Sequence, residues 1–220
     1  MDSAIPTIFQ IAILIFSVVI HEVSHGFVAL LLGDPTAKHL GRLTLNPLKH
    51  LDPFGSVILP LLLVLAHSPF LIGWAKPVPY NPYNLKNPFS RFGSRNDWGP
   101  ALVGMAGPLS NILIALVFGI GIRVLLVFGG GSLVTQNLAE IFGLIVLVNL
   151  VLAVFNFVPI PPLDGSKVLF ALLPYQWRNI ETFLQQYGFF LLLIFIFFFS
   201  QWLFPVVSLL FRIFSGVSFF

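Results

Sequence analysis

Residues 5–32 read IPTIFQIAILIFSVVIHEVSHGFVALLL, and the five residues His21, Glu22, Val23, Ser24 and His25 within that run decide how the rest of the chain is read. They form an HExxH pattern. On a helix, imidazoles four residues apart project from one face and can share a zinc ion, with the adjacent glutamate placed as a general base. The residues on both sides are apolar over the length of a bilayer-spanning helix, so His21, Glu22 and His25 lie where ionisable groups are costly. One histidine can be hydrogen-bonded away there. Three such groups together need a shared reason, and a bound metal is one.

Composition points the same way. The 220 residues are 57% hydrophobic and only 9% charged, and the mean hydropathy is +0.97. So little charge excludes an ordinary water-soluble domain and predicts an integral membrane protein. The first run has neither a basic leader nor a small-residue cleavage site and is expected to remain as a helix. Cysteine is absent, so a metal must be held by His, Asp or Glu. A net charge of +3 gives no indication of nucleic acid as a partner.

Outward from the motif, the first helix is expected to stop near Gly33, with Pro35 just beyond. At about 1.5 Å per residue, the histidine pair lies some two thirds of the way along it. In DPTAKHLGRLTLNPLKHLDP, the alternation around Leu43, Thr44 and Leu45 predicts short strands. Phe54 to Trp74 is long enough to span but carries Pro60 in its middle. Trp98–Phe128 and Leu138–Val158 are predicted spans joined by Gly129, Gly130 and Gly131. Thr182–Phe214 is a last span with a kink or stop at Pro205. The expected architecture is an all-α polytopic membrane protein forming one domain over residues 1–220. It has about four transmembrane helices, one re-entrant or hairpin hydrophobic segment, and short membrane-associated β-strands.

Basic residues set the orientation. Lys38, Arg42 and Lys49 precede Phe54–Trp74, and Lys76, Lys86, Arg91 and Arg95 follow it; Lys167 and Arg178 lie farther on. The positive-inside rule places these nine in the cytoplasm, opposite Arg123 and Arg212, with the amino terminus outside. A segment that begins and ends on one side cannot cross once. If Phe54–Trp74 did cross, the Gly107–Asn111 end of the next helix would lie on the far face from the histidine pair.

Two histidines need at least one further protein ligand. The carboxylates in play are Asp34, Asp52, Asp97, Glu140 and Asp164. In NFVPIPPLDG, residues 156–165, Pro159, Pro161 and Pro162 forbid a regular helix, and non-helical backbone at membrane depth belongs where it lines a cavity. Topology puts Asp164 at the depth of the inner part of the first helix. Its alternative role is to cap a helix starting near Ser166.

The HExxH helix paired with the later N-x-x-P-x-P-P-x-D-G resembles the site-2 protease family of intramembrane zinc metalloproteases. GDPTAKHLGRLTLNP, GWAKPVP and AGPLSN resemble its minimal prokaryotic branch without a PDZ domain. The resemblance runs from about Ile15 to Leu172. It implies that His21, His25 and Asp164 bind one zinc per chain, that Glu22 activates water, and that Asn111 faces the cleft as a substrate or oxyanion contact. A structural hydrogen bond between helices is the other reading of Asn111. The chain departs from the family in lacking a helix before the first and in the length of Phe54–Trp74.

The function this implies is endoproteolysis within or near transmembrane segments in a prokaryotic cell membrane, with the site toward the cytoplasm. The partners are transmembrane protein or peptide substrates and the lipid bilayer. An extended substrate could add to strand-like edges at Arg42–Asn46 or Trp74–Tyr80, although the prolines of the latter equally fit a rigid connector. Two competing functions are an inactive homologue that binds membrane clients, against which the intact Glu22 counts, and a zinc transporter, which would spread its carboxylates and histidines along a path.

Overall fold

The computed structural model describes residues 4–58, 62, 65, 75–86 and 98–218. Helix α1, Ala4–Leu31, carries the motif. Its single proline, Pro6, sits in the first turn, where a missing N–H has no intrahelical partner to lose. The helix ends as Gly33 turns into the left-handed region (φ +105°) and its N–H bonds back to Leu30 O. A short helix α2, Thr36–His39, follows.

Helix α3, Trp98–Phe128, runs antiparallel to α1: His25 meets Val103, His21 meets Asn111, and Ser17 also meets Asn111. A glycine turn leads into α4, Leu133–Asn156, whose first turn is capped by Ser132 accepting from Thr135 N–H at 3.2 Å. Helix α5, Gly165–Leu172, follows the proline-rich turn. Helix α6, Arg178–Ile194, continues through a π-helical turn, Phe195–Phe199, and a 3-10 turn, Ser200–Trp202, into α7, Leu203–Ser215. Among the described residues, four segments are long and apolar enough to cross a bilayer: Phe9–Leu31, Trp98–Phe128, Leu133–Asn156 and Arg178–Ser215. A core of Ala115, Ile122, Val146, Leu150, Val207 and Phe211 locks α3, α4 and α7 together on the side away from the motif. Phe16, Phe27, Phe189, Phe197 and Phe198 face outward, as lipid-facing side chains do.

The expected strands are a correction. Among the described residues there is no strand, only an isolated antiparallel bridge between Leu51 and Ala75. In Ala75–Tyr80, Pro77 and Pro79 have no N–H to give a ladder, and the N–H groups of Lys76 and Val78 are spent on His50 O (2.9 Å) and Glu22 Oε2 (2.8 Å). In 42–46 the alternation is overridden by turn chemistry: Gly41 has φ +62°, and Asn46 caps the 3-10 turn Pro47–Lys49. Trp74 and most of the re-entrant segment expected over Phe54–Trp74 lie outside the described residues. The last span breaks at 195–202 rather than at Pro205, which occupies the first turn of α7.

Asp34 fixes the end of α1 to the 75–86 segment. Fully buried, its carboxylate accepts from Thr36 Oγ1 (2.6 Å), Asn84 Nδ2 (2.9 Å) and the N–H of Asn81 (2.7 Å). Burial pushes the carboxyl up, but the bonds from Thr36, Asn84 and Asn81 outweigh it and hold Asp34 below the ordinary aspartate value. Its stabilising contribution is therefore complete above that value and fades only as pH falls through the lower folded one. Asp34→Ala is expected to cost about 2–4 kcal/mol by leaving these donors unpaired, read as a lower unfolding midpoint in detergent and faster proteolysis within 75–86.

Candidate metal centre

One face of α1 presents His21 and His25, both buried, with ring centroids 4.7 Å apart. Across from them, α4 ends at Asn156 because the prolines that follow cannot continue it, and the chain turns so that Leu163 is buried and Asp164 opens α5. Asp164 makes no side-chain capping bond. Its Oδ2 instead lies 3.1 Å from His21 Nε2 and 3.1 Å from His25 Nε2. Ligands with metal bonds near 2.05 Å in a tetrahedron stand ~3.3 Å apart, so the carboxylate oxygen is spaced from each nitrogen as a zinc site requires.

The far sides of both imidazoles decide what the near sides can do. His25 Nδ1 is 2.6 Å from the carbonyl oxygen of Val103, which only accepts, so Nδ1 carries the proton. His21 Nδ1 is 2.6 Å from Asn111 Oδ1 and donates likewise, because the Asn111 amide nitrogen is occupied with Asn149 Oδ1 (2.7 Å) and Ser17 O (3.3 Å). Asn149 in turn donates to Ser17 Oγ at 2.9 Å and Ile145 O at 2.8 Å. With Nδ1 engaged as the donor, the Nε2 of each ring, in its neutral form, turns a lone pair toward the Asp164 carboxylate oxygen. Two such nitrogens, each 3.1 Å from one carboxylate oxygen, are an arrangement that a shared cation, a metal ion or a proton, stabilises.

Helix α3 leaves the space for it. A Cβ built on Gly107 would come within 2.5 Å of both His21 Nε2 and His25 Nε2, so only glycine allows α3 to pass this close. Gly104, Gly107 and Asn111 occupy one stripe of α3, and all three face the centre.

Glu22 completes the group, since its carboxylate and the two imidazoles offer donor atoms within 4.8 Å of one another. The Val78 N–H holds its Oε2 at 2.8 Å. The 75–86 segment that supplies this bond is braced by Arg42 on Lys76 O (2.8 Å) and by Lys86 N–H on Leu32 O (2.8 Å).

The structure therefore gathers His21, Glu22, His25, Asp164 and Asn111 in one place. Asn111, however, is fully buried and both its amide hydrogens are engaged, so neither is free to meet an oxyanion. It orients His21. Ser17, Asn149 and the Val78 N–H escaped the sequence reading, in which Gly107 marked only a helix end and Lys167 only a cytoplasmic charge. Ser17 and Asn149 were detectable as polar residues inside apolar spans. His50 is buried and donates from Nε2 to Thr44 O at 2.9 Å. Asn111→Leu is expected to weaken zinc binding roughly 10- to 100-fold in chelator competition, the usual cost of losing a partner that orients a metal-binding histidine.

Residues 119–196 match the family model described as Peptidase family M50. Over 184 residues, 82% of this chain and 76% of the relative, the sequence is 39% identical to YwhC of Bacillus subtilis, named as a candidate zinc metalloprotease. The chain belongs to peptidase family M50. Another similar protein bearing that description is Rip2 of Mycolicibacterium smegmatis, 28% identical over 210 residues (93% of this chain, 73% of Rip2). A third is MJ0611 of Methanocaldococcus jannaschii, 48% identical over 67 residues (30% of this chain, 31% of that one). No solved structure matches. Membership of M50, the site-2 protease family, together with four apolar helices makes this an integral membrane protein of metalloprotease type. The names of its relatives agree with the zinc chemistry of the donor set.

Proposed function

We propose that this M50 member is an intramembrane endopeptidase that binds one zinc per chain and cleaves transmembrane proteins within or near their spans. The observation that carries this is the meeting of His21 Nε2, His25 Nε2 and Asp164 Oδ2 at 3.1 Å, beside a glutamate and under a glycine. When bound there, zinc supplies Lewis-acid activation of water and polarises the scissile carbonyl. Glu22 takes a proton from the attacking water, the C–N bond breaks as the tetrahedral adduct collapses, and Glu22 returns the proton to the departing amine. The Val78 N–H fixes one carboxylate oxygen, leaving Oε1 for the proton. Asn111 and the Val103 carbonyl hold the two imidazoles in the tautomer that ligation needs.

A helical substrate hides its amides in its own hydrogen bonds, so it must unwind locally before attack. Ala75–Tyr80 is poor in free N–H groups, which supports a rigid strut that positions Glu22 rather than an edge to which substrate adds as a strand. The antiparallel packing of α1 and α3 brings Gly107–Asn111 to the histidine pair. That supports a chain whose Gly33 and Trp98 lie on the same side of the membrane. With nine of eleven basic residues on that side, the amino terminus lies outside a prokaryotic cell membrane and the site opens toward the cytoplasm.

The test uses purified protein in detergent with a single-span substrate peptide. Cleavage inside the span, abolished by 1,10-phenanthroline and restored by added zinc, is the expected result. Binding of the peptide without cleavage by the zinc-loaded protein would instead favour an inactive client-binding homologue.

A further inference from the structure

Asp164 turns one oxygen to the histidines and the other away from them. That second oxygen, Oδ1, lies 2.9 Å from Lys167 Nζ. Lys167 stands one turn along α5, so the pair is an i,i+3 neighbour on a short helix. Its surroundings are nonetheless specific. The lysine stem lies across α3 at Gly104, where a Cβ would come within 2.9 Å of Lys167 Cδ and 3.1 Å of Asp164 O, so glycine gives the stem the room it occupies. The ammonium sits 5.6 Å from the ring centroid of Tyr80, on the segment whose Val78 N–H holds Glu22. The side chain is only 28% exposed. A cation kept this dry, on a track cleared by a glycine, is not a solvated surface lysine.

We infer that Lys167 is a positioning residue that keeps Asp164 a one-oxygen metal ligand. A carboxylate can grip a metal through one oxygen or both, and a catalytic zinc centre with three protein ligands must keep a position open for water and substrate. With Lys167 bonded to Oδ1, only Oδ2 is presented to the histidine pair, and the open position is preserved. The same ammonium touches Tyr80, so the carboxylate and the strut that places Glu22 are tied through one side chain. This inference rests on the zinc-site reading above.

The experiment measures zinc affinity by chelator competition on the intact, detergent-solubilised chain, for wild type, Lys167→Met, Lys167→Arg and a His21→Ala control. Cobalt(II) substitution of the same proteins reports coordination number through the intensity of the d–d bands. Lys167→Met keeps the stem over Gly104 but loses the charge. It is expected to bind zinc roughly 10- to 100-fold more weakly and to show the weaker d–d bands of a higher coordination number, whereas Lys167→Arg restores most of both. Turnover of the zinc-saturated Met variant should fall through kcat with little change in KM. Wild-type zinc affinity and an unchanged cobalt spectrum in Lys167→Met would overturn the inference while leaving the metal site intact. Wild type binding zinc no better than His21→Ala would overturn the site itself. Should the Met variant not be recovered monodisperse, Lys167→Gln decides by the same two readings.

Discussion

Glu22→Gln is expected to lower peptide cleavage on the order of 100- to 10,000-fold while zinc content stays at the wild-type level. The substitution is nearly isosteric, and the carboxamide oxygen can still accept the Val78 N–H that holds Oε2 at 2.8 Å. The strut at 75–80 and the helix around His21 and His25 therefore keep their places. What disappears is the ability to take a proton from water and pass it to the leaving amine, since an amide is not a base in this pH range. Cleavage rate and zinc stoichiometry, measured on one preparation, read the two effects separately. Equal cleavage by the two proteins would remove Glu22 from the reaction.

Gly107→Ala is expected to empty the metal centre although it alters none of the residues assigned as ligands. The new methyl would lie 2.5 Å from the Nε2 atoms of both His21 and His25, in the space where their lone pairs converge. Neither imidazole can simply swing aside, because His21 is held by Asn111 and His25 by the Val103 carbonyl, each at 2.6 Å. Either α3 moves away from α1 or the histidines leave their hydrogen bonds; both routes cost about 1–3 kcal/mol in overpacking and break the three-donor geometry. Zinc measured by elemental analysis should fall from about one per chain to near zero, with cleavage lost in parallel. A Gly107→Ala protein that keeps its zinc would mean that the ion does not sit between those nitrogens.

Much of this centre is legible in the amino-acid sequence, and for identifiable reasons. HExxH fixes the relation of its residues by helical repeat alone, so His21, Glu22 and His25 needed no tertiary information. Asp164 was legible because three prolines in six residues cannot be helical, which forces a turn at membrane depth. The direction of a side chain was not legible. Asn111 is a donor and an acceptor by residue type, and only the positions of His21, Asn149 and Ser17 show that its oxygen serves the histidine and its hydrogens are already engaged. The strands expected over 42–46 and 74–80 failed for local reasons, turn chemistry around Gly41 and Asn46 in the first and a shortage of main-chain donors along Ala75–Tyr80 in the second. Alternating side chains predict a strand, but a strand also needs main-chain donors, and these are missing at Pro77 and Pro79 and diverted at Lys76 and Val78. The break in the last span escaped notice because Phe195–Trp202 contains no proline, while the visible Pro205 lies harmlessly in the first turn of α7.

The central claim is that two imidazoles from the first helix and a carboxylate from the proline-broken turn share one ion. Anomalous scattering collected on both sides of the zinc absorption edge, from crystals of the zinc-loaded protein, locates that ion directly. A single peak at about 2.0–2.2 Å from His21 Nε2, His25 Nε2 and Asp164 Oδ2 is the predicted result. A peak bonded to the histidines with the Asp164 carboxylate turned away, or one elsewhere in the chain, would contradict the account.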